Sequence, residues 1–266
     1  MRLLLLLCLL SLSAHGYAFA HSHANWNALL AKHVRWAPEG GASAVDYAAI
    51  KREQKALSAY LDELEAVSQA DFTRFSKAQQ QAFLINAYNA QTVALILQKY
   101  PDVKSIKDLG SWLKSPWKMS FFKLLGGAQT LDALEHEMLR APGRYDDPRV
   151  HFAVNCASIG CPALRNEAYV AKKLDAQLED QLRRFVLDKT RNRYSVECDC
   201  LQVSAIFDWY GGDFAKGQHG FGKLTDVFAK FADGITADPK VRTRLAAGQV
   251  EISFLDYDWQ LNDRLK

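Results

Sequence analysis

The sequence predicts an α+β fold, with a helical first half packed on a small, mainly antiparallel sheet within one domain. Apolar residues recur at helical spacing between Val45 and Tyr100, and short β-type runs divided by turn residues begin at Phe121; no repeat, low-complexity tract or linker intervenes. A chain of 266 residues, 49% hydrophobic and 24% charged, has the composition of a globular protein rather than a disordered one. Its 33 Lys plus Arg and 30 Asp plus Glu are interspersed. This pattern lacks the clustered positive charge that a nucleic-acid partner requires.

The first twenty residues have the form of a secretory leader. Arg2 is a charged head, Leu3 to Leu12 an apolar run too short to cross a bilayer, and Ala18-Phe19-Ala20 a small-x-small cleavage site. The expected organisation is a leader over 1–20, an extension over 21–45 and an α+β domain over 46–266. Cleavage after Ala20 predicts a periplasmic or secreted protein with no later membrane span. It would also expose His21-Ser22-His23, either a disordered polar terminus or a square-planar nitrogen set for Cu(II) or Ni(II).

Between Val45 and Val67, the residues Ile50, Leu57, Tyr60, Leu61 and Leu64 line one face of an amphipathic helix. Ser76 and Gln79 form a capping box that opens a second helix, apolar on most sides and stopped by Pro101. Asn86 and Asn89 share a face of it. Buried amides need partners, so this pair either ties loops to the helix or orients a catalytic group. Phe121 to Leu125, a Gly126-Gly127 turn and Gln129 to Leu131 predict a hairpin, and Leu131 to Arg140 a helix with Glu135 inside its apolar sector and His136 at the edge. Arg149 to Asn155 has the pattern of a central strand, apolar on both faces, running into a loop from Cys156 to Pro162. An amphipathic helix over Asn166 to Leu187 follows, with Leu174, Leu178, Leu182 and Phe185 inward. Beyond it lie a hairpin over Tyr194 to Val203, short helices over Ala205 to Tyr210, Lys223 to Ala232 and Pro239 to Ala247, and a last strand over Val250 to Trp259.

Seven segments together resemble one family: FLINAYNA (83–90), VKSIKDLG (103–110), SPWK (115–118), LDALEHEMLR (131–140), DPRVHFAVNCASIGCPALRNEAY (147–169), SAIFDWYGGDF (204–214) and LDYDWQLN (255–262). It is the family known as domain of unknown function 547, and the resemblance runs from about Asp46 to the end. The family carries no assigned activity. A more distant likeness, to papain- and transglutaminase-like cysteine enzymes, implies a cysteine-peptidase-like fold. The Cys198 and Cys200 pair stands outside the pattern.

Cys156, where the predicted strand enters its loop, is the candidate nucleophile, with Ser158 and Gly160 as sources of backbone donors for an oxyanion. His136 is the freer base, because an extended strand would put His151 roughly 16 Å from Cys156 with opposite parity. Glu135, Asn86, Asn89 or Asp258 could orient the base. The candidate catalytic set is therefore Cys156, His136, His151, Asn86, Asn89 and Glu135. Against it, cysteines in two close pairs in an oxidising compartment favour disulfides, Cys156 with Cys161 and an exposed, redox-labile Cys198 with Cys200. A zinc set of Cys156, Cys161, His136 and His151 has suitable ligand types, but its spacing matches no known zinc motif. With no P-loop, dinucleotide fingerprint, GxSxG or HExxH, neither a metal nor a cofactor is expected. Two functions remain open. One is an exported cysteine-dependent hydrolase or acyl transferase, and the other a non-catalytic envelope module that binds a small molecule or peptide with Cys156 and Cys161 joined.

Overall fold

A computed structural model describes residues 19–111 and 114–264, so most of the leader expected over 1–20 lies outside the described residues. Helix α1 (Ala24–His33) precedes an antiparallel ribbon of β1 (Val34–Trp36) and β2 (Ser43–Val45). The predicted helix over 45–67 is two helices, α2 (Tyr47–Arg52) and α3 (Gln54–Glu65), separated at Glu53. After α4 (Gln69–Arg74), the reciprocal bonds of Ser76 and Gln79 open α5 (Lys77–Leu97), buried over most of its length as its apolar circumference requires.

Strands β3 (Phe122–Leu124) and β4 (Gly127–Gln129) form the expected hairpin. Its turn is Leu125-Gly126, one residue earlier than expected, with φ of +54° and +81°. The next helix, Ala133–Leu139, is π-helical rather than α-helical. Past α6 (Leu174–Val186) come β5 (Arg193–Ser195), β6 (Cys200–Ser204), α7 (Ile206–Tyr210), α8 (Leu224–Ala229), α9 (Ala232–Ile235), α10 (Pro239–Ala246) and β7 (Glu251–Leu255). Strand β6 pairs antiparallel with β5 and parallel with β7, so this small sheet is mixed and the two ribbons are antiparallel. The fold is α+β. Cys198 and Cys200 are disulfide-bonded beside β6; Cys198 is exposed, whereas Cys200 is buried.

The central strand expected over 149–155 is not a strand. Pro148–Phe152 is a 3₁₀ helix, capped by the Asp147 carboxylate accepting from Arg149 N. Pro148 has no N–H for a ladder and suits the first helical position. Arg149 is buried and paired with Asp147, Asp175 and Glu179, and one face of the expected strand therefore holds a charge network. The segment sits at the seam of two hydrophobic cores. Val150, Ala153, Val154 and Ala157 join the first, built around α1, α3 and α5, while Phe152 joins the second with Phe185, Phe207 and Phe228.

Because residues 152–170 run largely buried outside any strand, their peptide groups need other partners. Side-chain amides supply them. Asn89 donates to Ala153 O (2.9 Å) and accepts from Asn155 N (2.8 Å); Asn86 does the same for both peptide groups of Tyr169 (2.8 and 3.0 Å). Asn155 bridges Pro162 O and Ala157 N, Gln177 bridges Ala168 O and Val170 N, and Gln181 donates to Phe152 O and Ala163 O. All five are buried.

In the uncleaved chain His21-Ser22-His23 packs against the domain, the His21 ring lying 4.3 Å from that of Phe75. His23 is buried, and its Nδ1 is 2.7 Å from the Tyr60 hydroxyl. Burial, reinforced by His21, depresses the His23 pKa to about 3.

Asn89→Ala would strand a buried carbonyl and a buried N–H, and is expected to lower stability by about 2–5 kcal/mol, read from the urea midpoint. For His23 the sign follows from linkage. Below its usual value of 6.5 the unfolded chain takes up a proton that the folded chain refuses until about pH 3, so stability falls as pH drops through that window. A pH series of unfolding midpoints should show this slope flattened in His23→Gln.

Candidate functional site

The two cores meet around a cleft of about 380 Å³. Cys156, Glu135, His136 and His151 all line it, whereas Asn86 and Asn89 do not. The two asparagines act one layer behind. Asn89 pins the peptide groups just before Cys156, and Asn86 pins Tyr169.

The 3₁₀ turn overturns the distance argument against His151. A 3₁₀ helix advances about 2 Å per residue and turns as it goes, so His151 and Cys156 need not point to opposite faces as they would on a strand. The cysteine loop is clamped by the C-terminal tail. Ile159 N donates to Gln260 O, Gly160 N to Asp258 O (2.8 Å each) and Asn262 N to Ala157 O. A Cβ on Gly160 would lie 3.0 Å from Asp258 O and from the Tyr257 ring, so only glycine fits this close approach without a shift. The Gly160 N–H is therefore committed and is no oxyanion donor. Asp258, too, is elsewhere engaged, accepting from Gln260 N.

Cys156 and Cys161 are joined in a disulfide. Cys156 N points at Cys161 Sγ (2.8 Å), and the Tyr257 hydroxyl lies 3.1 Å from Cys156 Sγ.

His151 is buried, stacked on Tyr210 with ring centroids 4.0 Å apart, and its Nε2 lies 2.8 Å from Asp213 Oδ2. Asp213 also accepts from Arg140 Nε and Lys216 Nζ. Hydrogen bonds from His151 above all, then from Arg140 and Lys216, hold its carboxyl far below the usual carboxylate range despite partial burial. An ionised carboxylate can only accept, so Nε2 carries the proton and Nδ1 keeps its lone pair. That Nδ1 is buried and has no hydrogen-bond partner among the described residues. Burial lowers the His151 pKa, Asp213 opposing it, so the imidazole is neutral at pH 7.

His136 is placed differently. Its Nδ1 meets Arg140 Nη1, which only donates, so that lone pair is taken; Nε2 lies 3.8 Å from Asp132. Glu135, 7% exposed, accepts from the Tyr210 hydroxyl at 2.9 Å. Burial and the charge of Glu135 hold the Tyr88 and Tyr210 hydroxyls protonated, far above the usual tyrosine range. The π-helical turn sets Glu135 and His136 side by side on the cleft wall.

Residue-level reading of the sequence missed Asp213, Arg140 and Tyr210, and also the aromatic wall of Trp117, Trp209, Tyr257 and Trp259. Their signal was present in the segments SPWK, SAIFDWYGGDF and LDYDWQLN, where aromatics and carboxylates crowd short, non-periodic stretches.

Residues 72–186 match the family described as "Protein of unknown function, DUF547". No curated protein and no solved structure matches it. Cys156, His151, His136 and Glu135 fall inside the matched segment; Tyr210, Asp213, Tyr257 and Trp259 lie beyond it.

Replacing Asp213 by Asn removes the carboxylate that supports protonation of His151. The His151 pKa is expected to fall further, which proton or nitrogen NMR of the imidazole during an acid titration would record as titration at lower pH than in the parent protein.

Proposed function

We propose that the protein is an exported cysteine-dependent hydrolase or acyl transferase whose nucleophile, Cys156, acts in the reduced state. One observation carries this reading: His151 reaches the cleft that Cys156 lines with Nε2 anchored on Asp213 and Nδ1 unprotonated and unpartnered. This is the base-and-orienter half of a nucleophilic triad. His136, its Nδ1 already occupied by Arg140, serves the cleft as an N–H donor rather than as the base.

The leader pattern of residues 1–20 supports export to the periplasm or the medium. In that oxidising compartment the resting form is the disulfide. Two equivalents of a thiol reductant return Cys156 and Cys161 to thiols and leave as their own disulfide. The Cys156 proton then passes to His151 Nδ1 while the sulfur attacks an acyl carbonyl. The imidazolium returns that proton to the departing amine or alcohol, leaving a thioester on Cys156. Water or an acceptor amine attacks the thioester, and its proton passes through His151 back to the Cys156 sulfur. The Cys156 N–H, which meets Cys161 Sγ rather than an oxygen acceptor, supplies a backbone donor for the oxyanion.

The disulfide itself favours a second reading, in which the cleft binds a ligand and performs no chemistry. Alkylation separates the two. After treatment with a thiol reductant, iodoacetamide is expected to label Cys156 well ahead of Cys161. His151→Gln should slow that labelling by about a hundredfold and His136→Gln by much less. Reduced protein should also turn over activated esters or anilides, and Cys156→Ala should not. Equal labelling of the two cysteines, insensitive to His151, or turnover that survives in Cys156→Ala, would reject the catalytic reading.

A further inference from the structure

The cleft combines two features that neither a nucleophile nor its base requires. The first is a wall of aromatic rings. Trp259 has Trp209 stacked near it (5.8 Å, 22°), Trp117 edge-on (5.7 Å, 72°) and Tyr257 tilted against it (4.5 Å). Trp209 is 48% exposed at the mouth, although a ring of that size is normally largely covered. The second is Glu135, a buried acid lining the same cleft. The basic side chains around it are paired with other carboxylates: His136 with Asp132, Arg140 and His151 with Asp213. Glu135 receives phenol hydrogen bonds from Tyr210 and Tyr88, and no ion pair reaches it among the described residues. A buried carboxylate that has hydrogen bonds but no counter-charge is stabilised further by a cation, and aromatic faces attract one through their quadrupoles. The folded chain already uses these rings in this way from outside the cleft: Lys107 Nζ lies 3.7 Å from the Trp259 ring centroid, and the Arg140 guanidinium lies 4.8 Å from that of Tyr210.

We infer that the cleft binds its substrate through an alkyl or quaternary ammonium group, seated against Glu135 and enclosed by the rings of Trp117, Trp209, Tyr257 and Trp259. The assignment rests on the preceding reading only in taking this cleft as the substrate site. A neutral sugar or an apolar acyl chain would use the rings and leave Glu135 without a counter-charge. An anionic ligand would be repelled by Glu135 and Asp132, which both line the cleft.

The test uses the full chain in its disulfide form, so that binding is measured without thiol chemistry. Tryptophan fluorescence is titrated with choline and, separately, with dimethylbutanol, its isostere with carbon in place of the quaternary nitrogen. Choline is expected to bind roughly tenfold or more tightly than the isostere. Glu135→Gln, which keeps the shape and removes the charge, should abolish that preference. Trp209→Ala, at a half-exposed position, should weaken choline by severalfold and so keeps the test informative if Glu135→Gln fails to fold. Equal binding of the two ligands, no binding of either, tighter binding of acetate, or a preference that survives Glu135→Gln would overturn the inference. A cation preference without acyl transfer after reduction would remove the catalytic reading and leave this one. Acyl transfer without a cation preference would do the reverse.

Discussion

The constraint on which the rest of the structure depends is that a largely buried stretch of backbone, roughly residues 152–170, crosses the seam between two cores outside any strand that would receive its hydrogen bonds. An unpaired buried peptide group is destabilising by about 1–3 kcal/mol, so such a path is tenable only if something stands in for a ladder. Asn86, Asn89, Asn155, Gln177 and Gln181 do so, four of them donating and accepting in pairs as a neighbouring strand would. An amide side chain is a peptide group on a short tether, which makes it suited to this substitution. The two asparagines of α5 are thus structural in their contacts. They nevertheless bear directly on the site, because the peptide groups held by Asn89 are those that lead into Cys156.

Freed from a sheet, the chain between Asp147 and Pro162 can turn tightly. The 3₁₀ helix delivers His151, the following loop delivers Cys156, and the C-terminal tail closes over that loop through Ile159, Gly160 and Ala157. The opposite wall comes from the π-helical turn with Glu135 and His136 and from α7 with Trp209 and Tyr210. Tyr210 links the walls: His151 stacks on it, Arg140 lies over it, and its hydroxyl serves Glu135. Asp213 then sets the electrical character of the cleft. By pairing with His151 and Arg140 together, it fixes one imidazole tautomer and gives the Arg140 guanidinium its counter-charge.

Much of the helical framework was legible because it depends on local signals. The reciprocal Ser76 and Gln79 cap, the all-round apolar pattern of α5 and the inward leucines of α6 each act within a few turns of helix and emerged as expected, although α6 begins at Leu174 rather than at Asn166. The segment over 149–155 was misread because a continuous apolar run does not by itself distinguish a buried strand from other buried backbone. The Asp147-Pro148 pair, a capping acid before a proline at the first helical position, was the local sign pointing the other way.

What the sequence determined alone is the helical frame, the requirement that Asn86, Asn89 and Glu135 find partners, and the presence of a cysteine and two histidines near one another along the chain. These follow from periodicity, capping and the unfavourable burial of polar groups, all of which operate over short separations. Which imidazole keeps a free lone pair was decided only by tertiary structure. Asp213 lies 62 residues from His151 along the chain, and Tyr210 lies 75 from Glu135. No local pattern encodes contacts at that separation, since they form only when two cores pack and bring α7, the π-helical turn and the 3₁₀ helix to a common seam.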